Sequence, residues 1–129
     1  MVKITIGLAP GIATSLLGTL NGTSFSNAAI WAQLHIGDPG IAGTSNASVV
    51  TTREQLTSWS NTGGTLAITA SPTAWNMTAT ETISAISLWS ASSGGTFLWS
   101  ASLAIAKTVA NGDTLTLNTC SLSFAPLAA

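Results

Sequence analysis

The chain has 129 residues, of which 46% are hydrophobic, yet Lys and Arg number only 3 and Asp and Glu only 4, so 5% of it is charged and the net charge is −1. Ordinary soluble domains carry about 25% charged residues, so this surface is poorly protected against self-association unless partners cover it. Three dispersed cations (Lys3, Arg53, Lys107) cannot neutralise a phosphate track, which excludes nucleic-acid binding as the expectation, and a single cysteine, Cys120, excludes an internal disulfide framework.

One domain is expected at this length, because no linker or composition shift divides the chain. Residues 1–9 read as an arm in which Val2, Ile4 and Ile6 alternate with Lys3 and Thr5, the period of an extended strand. Pro10 then opens residues 10–21, where Ile12, Leu16, Leu17 and Leu20 follow helical spacing and Asn21-Gly22 makes a stop. Residues 28–125 read as a β-rich body. Ile30, Ala32, Leu34 and Ile36 alternate against Trp31, Gln33 and His35, and Gly37-Asp38-Pro39-Gly40 closes that strand with turn chemistry. Residues 41–48 read as a loop. Val49–Trp59 is open between an irregular strand and a short helical turn. Leu66 and Ile68 alternate in a strand after Gly63-Gly64, Pro72 marks an edge or a break, and Trp75 and Met77 continue with period two.

The clearest signal is a repeat. Leu88-Trp89-Ser90-Ala91-Ser92 recurs as Leu98-Trp99-Ser100-Ala101-Ser102 around Ser93-Gly94-Gly95, which reads as a hairpin. With Ser93-Gly94 as the loop, Leu88 stands opposite Trp99 and Trp89 opposite Leu98. Phe97 then shares an apolar face with Ile86, Leu88, Trp99, Ala101 and Leu103. Asn111-Gly112-Asp113 makes a further turn, and Leu115 and Leu117 lead a last strand ending near Pro126. The fold class expected is all-β: a single sandwich or barrel-like domain of about seven to eight short antiparallel strands with one short N-terminal helix. The residues assigned to structural turns are Gly37, Asp38, Pro39, Gly40, Gly94, Gly95 and Gly112.

Convergent titratable groups are scarce. Asp38 and Asp113 sit in turn signatures, where the carboxylate bonds nearby backbone N–H groups. Glu54 adjoins Arg53, but neighbours on a strand point to opposite sides. His35 is the sole histidine and reads as a strand residue hydrogen-bonded beside the turn, since zinc needs three or four protein ligands. Cys120 could pair with His35 as a nucleophile only if the fold joined them; core packing is the plainer role. No catalytic residue, cofactor or metal site, small-molecule substrate or enzymatic activity is expected. No run of about 20 apolar residues reads as a membrane span, and no leader peptide stands out. Five tryptophans without tyrosine fit core and subunit interface, with a sugar-stacking platform as the alternative.

Leu34-His35-Ile36-Gly37-Asp38-Pro39-Gly40, followed by Ala42-Gly43-Thr44-Ser45-Asn46, resembles a pattern in small virion proteins of tailed bacteriophages. A Gly-Gly-Thr-hydrophobic hairpin (Gly94 to Ser100) and a Lys-Thr-Val-x-x-Gly-Asp-Thr-Leu run (Lys107 to Leu115) continue the likeness in order. The chain departs from that pattern at Ile36, Ala47 and Thr51-Thr52-Arg53, where the family shows Thr, an acidic residue and Tyr-x-Arg. The resemblance implies a virion structural protein. The leading expectation is a capsid decoration (minor capsid) protein on the capsid surface, binding the major capsid protein as a homo-oligomer, with a trimer as one option. A minor tail or tail fibre protein is the alternative, and a carbohydrate-binding β-sandwich module is the alternative from another class. Candidate assembly-interface residues are Val2, Ile4, Ile6, Trp31 and Trp59, with the arm reaching a neighbouring chain as an added strand.

Overall fold

The computed structural model describes residues 30–56, 59–62, 65–68 and 73–123. The expected arm and helix lie outside these residues. Among the described residues there are nine strands, somewhat more than anticipated, and every pairing is antiparallel.

The main sheet contains β1 (Ile30–His35), β2 (Glu54–Leu56), β6 (Glu81–Trp89) and β7 (Phe97–Val109), in the order β2-β1-β6-β7. The period-two pattern of β1 explains its position. Ile30, Ala32 and Leu34 are buried on one face, and the register places them with Leu56, Ile86, Leu88 and Trp99. Two smaller sheets complete the domain. One has the order β3 (Trp59–Thr62), β4 (Thr65–Ile68), β9 (Ser121–Ser123), and the other pairs β5 (Thr73–Asn76) with β8 (Thr114–Leu117). Trp75 and Met77 join the same apolar cluster as the main-sheet residues, and Ile68, Leu115, Leu117 and Cys120 pack against it. The hydrophobic core is therefore the space between the main sheet and the two smaller ones, the layered arrangement of an all-β sandwich. Each large aliphatic side chain buried there contributes roughly 1.5–3 kcal/mol.

Two sequence expectations need correction. The β6–β7 hairpin does pair Leu88 with Trp99, but Trp89 pairs with Phe97 rather than Leu98. The loop is longer than two residues: the Ser90 amide donates to the Thr96 carbonyl across it (3.0 Å). Leu98 is then an extra residue in β7. A one-residue bulge reverses which side chains face the core, so Phe97 moves to the face of Trp89, their ring centroids 5.4 Å apart. The expected last strand is also two strands. It leaves β8 after Leu117 and re-forms as β9 in a different sheet, with the Ile68 amide bonded to the Cys120 carbonyl at the switch (3.1 Å). The ambiguous Val49–Trp59 segment holds β2 and the first residue of β3.

Candidate functional site

The Asp38-Pro39-Gly40 segment opens a loop that folds back onto the end of β1. The Ser48 amide bonds the Leu34 carbonyl (3.0 Å) and the Ile36 amide bonds the Asn46 carbonyl (2.8 Å). Inside the loop, the Asp38 carboxylate accepts from the Gly40 amide (2.8 Å) and the Asn46 side-chain amide donates to the Asp38 carbonyl (2.8 Å). Gly40 has φ +71°, a left-handed conformation that a side chain resists. The Asp38 carboxylate is thus occupied with its own turn. Gly43, with φ +73°, faces the ring of Phe97 so closely that a Cβ there would lie 2.4 Å from it. The other turn glycines, Gly94, Gly95 and Gly112, also have positive φ. Gly37 lies against Asn46, whose side-chain atoms would be 3.2 Å from an added Cβ.

Beneath this loop, on the face of the main sheet turned away from the core, runs a chain of polar contacts. His35 and Ser87 are both fully buried. The Trp89 indole N–H donates to Ser87 Oγ (2.8 Å), and Ser87 Oγ lies 2.7 Å from His35 Nε2. His35 Nδ1 lies 2.8 Å from the Ser45 carbonyl. A carbonyl only accepts, so Nδ1 carries the proton; with the ring neutral, Ser87 accepts from Trp89 and donates its own proton to Nε2, which satisfies every member of the network. Burial pushes the His35 pKa below its ordinary 6.5, with the charge of Arg53 a lesser contribution in the same direction, against the raising effect of backbone contacts at Ser45 and Asn46.

Arg53 completes this face. Its guanidinium carbon lies 3.7 Å from the centroid of the Trp89 ring. Nη1 donates to the carbonyls of Ala91 (3.1 Å) and Gly94 (2.7 Å), and Nε donates to Gln33 Oε1 (3.1 Å). Residues far apart in sequence are thereby fastened together: β1, the strand end at Arg53 and the β6–β7 loop. The sequence reading weighed Arg53 as one of three dispersed cations, as a neighbour of Glu54 and within Thr51-Thr52-Arg53, and none of these pointed to partners 38 and 41 positions away.

The remaining titratable groups are dispersed. Glu81 accepts from the Ser48 hydroxyl and from the Val49 amide (3.2 Å), and Asp113 accepts from the Ala110 amide (2.8 Å). Cys120 packs against the core cluster, not with His35, and burial pushes its thiol up to about 11. A thiol at that value is a poor nucleophile at neutral pH. Among the described residues, no three His, Cys, Asp or Glu side chains come together as a metal site. Of the tryptophans, Trp75, Trp89 and Trp99 are buried and Trp31 is half-buried; the side chain of Trp59, and all of Val2, Ile4 and Ile6, lie outside the described residues. The buried three do not form an open stacking platform.

A surface feature lies at the outer side of β7, the edge strand of the main sheet among the described residues. Ile83 pairs with Lys107 and Ala85 with Ser102, so the four residues Leu103 to Ala106 stand opposite Ser84 alone. The excess lifts Ala104, Ile105 and Ala106 into solvent, and Ile105 is 85% exposed. Beside this bulge is a groove of about 590 Å³ between β7 and residues 114–121, lined by Leu103, Ile105, Leu115, Leu117 and Cys120 among others. The sequence reading missed this feature, because Leu103–Ala106 continues an apolar strand pattern without any turn signal.

The model of a family described as Podophage GP4 fiber I protein gp80 matches residues 12–125. No curated protein matches the chain.

Proposed function

The chain belongs to the family of the podophage GP4 fiber I protein gp80, a family of phage virion structural proteins, and from that premise we propose that it is a structural component of a phage tail fibre, assembled as a homo-oligomer. The observation that carries this reading is the extent of the family match, which takes in nearly the whole β-rich body. The physical chemistry of the chain agrees with it. A surface with 5% charged residues suits a protein whose faces are covered by neighbours, and every buried side-chain nitrogen or oxygen among the described residues already has a hydrogen-bond partner within the fold.

A capsid decoration role, the leading expectation from sequence, is the less supported address, because the matched family is described by a fibre. Among the described residues, no arrangement favours an enzymatic or sugar-binding role over a structural one. Fractionation of purified particles tests the proposal. The protein should accompany intact, tailed particles and be missing from tail-less heads. Recovery with the heads would return it to the capsid surface, and its absence from both would remove it from the virion.

A further inference from the structure

β7 is the outer strand of the main sheet among the described residues, and at 13 residues it is the longest strand described. Such edges are templates for pairing with another chain unless charge, proline, a bulge or a cover blunts them; the wide bulge at Leu103–Ala106 interrupts this edge, and Trp99–Ser102 before it pairs in regular register with β6. From Phe97 to Ala106 this strand has neither charge nor proline; Lys107 is the first charged residue. Its bulge displays Ile105 rather than hiding it. The adjoining groove has a mixed lining: the half-buried Leu103, Leu115, Leu117 and Cys120 pack on the core from one side and line open space on the other, beside polar threonines and serines and Lys107. Among the described residues, none forms a strand on the outer side of β7.

The chain contains a segment of matching chemistry. Val2, Ile4 and Ile6 alternate with Lys3 and Thr5, so an extended backbone would present three aliphatic side chains on one face. Residues 7–29 separate this segment from β1, and extended they span up to about 80 Å. We propose that residues Val2–Ile6 of a second copy of this chain lie in the groove beside β7 as an added strand, with their aliphatic side chains against Leu103, Leu115 and Leu117. This rests on the homo-oligomeric reading above and names the surface through which the copies join. Strand addition of this kind draws its affinity from main-chain hydrogen bonds and its specificity from alternate side chains in the groove. Each partner carries a single cation, Lys3 in the arm and Lys107 in the groove lining, so little charge opposes such pairing.

Cys120 makes the proposal testable, since it lines the groove and is the sole cysteine. In the full chain, V2C, I4C and I6C are made one at a time and oxidised with copper-phenanthroline. At least one should give a disulfide to Cys120, and mixed isotope-labelled and unlabelled chains should show that it joins different copies. Adding C120S should abolish that link. A link confined to one copy, or none at any of the three positions, overturns the proposal. A second measurement does not depend on the substitutions: maleimide should alkylate Cys120 at least tenfold faster after deletion of residues 2–7 than in the full chain, and equal rates would overturn the proposal too. Sedimentation of the unmodified chain separates the two claims. A defined oligomer without the arm-to-groove link refutes only the placement of the arm, whereas a monomer refutes the homo-oligomer as well.

Discussion

Arg53 lies face-on over Trp89, its guanidinium carbon 3.7 Å from the ring centroid, while the same side chain bonds two carbonyls of the loop that follows Trp89. The indole beneath it is fixed in turn by its N–H bond to Ser87. One side chain therefore holds the β6–β7 loop down on the sheet by stacking and by charge-assisted hydrogen bonds together. Replacing it with Ala should cost about 2 kcal/mol, the size of a lost cation–π contact plus lost hydrogen bonds after discounting for partial exposure. R53K should fall between Ala and Arg, because an ammonium keeps the charge but cannot stack flat and reach Gln33, Ala91 and Gly94 together. Urea denaturation of the three proteins decides this; a Lys variant as stable as Arg would show that charge alone suffices.

His35 makes stability depend on pH. The neutral ring satisfies the folded network, and burial holds the folded pKa below 6.5, whereas the unfolded chain takes up a proton near that value. Stability is therefore complete above pH 6.5 and declines as pH falls below it, by at most about 1.4 kcal/mol per pH unit, levelling off beneath the folded pKa. H35Q should be less stable than the native chain at pH 7.5 but should lose the part of the decline that begins near pH 6.5. Thermal melts across pH 5 to 7.5 give both curves. Parallel curves would mean that His35 is protonated as easily folded as unfolded.

Gly43 and Gly94 separate two costs that a glycine can hide. Both have positive φ, but a Cβ at Gly94 meets nothing within 4 Å, whereas one at Gly43 meets the Phe97 ring. In G94A, left-handed strain of about 1–2 kcal/mol is partly offset by about 0.4–1 kcal/mol from the stiffer unfolded chain. The net loss should be about 1 kcal/mol or less. G43A carries the same strain plus displacement of an aromatic ring, and should lose about 2–4 kcal/mol. Equal losses would show that the ring moves aside freely.

The strands were legible where alternation and burial agree. Ile30, Ala32 and Leu34 could be assigned to the core because nothing interrupts their period, and the Leu88–Trp99 pair could be read from the repeat. Leu98 shows where such reading stops. An extra residue in a strand leaves composition and local propensity unchanged, yet it moves Phe97 to the opposite face, where it meets Gly43. The three-residue excess within Leu103–Ala106 is invisible for the same reason. Partners distant in sequence were hidden too. His35 was expected to bond beside its turn, and Ser45 is such a partner, but Ser87 lies 52 positions away and is chosen by register alone. The family likeness pointed to a virion component, while its description by a fibre shifts the proposed address from the capsid toward the tail.

Electron cryotomography of virions, with the protein labelled by gold-conjugated antibody, tests the central claim most directly. Gold should be confined to the tail fibres, in the same number of clusters as there are fibres. A regular array of label over the capsid faces, or particles without label, would contradict it.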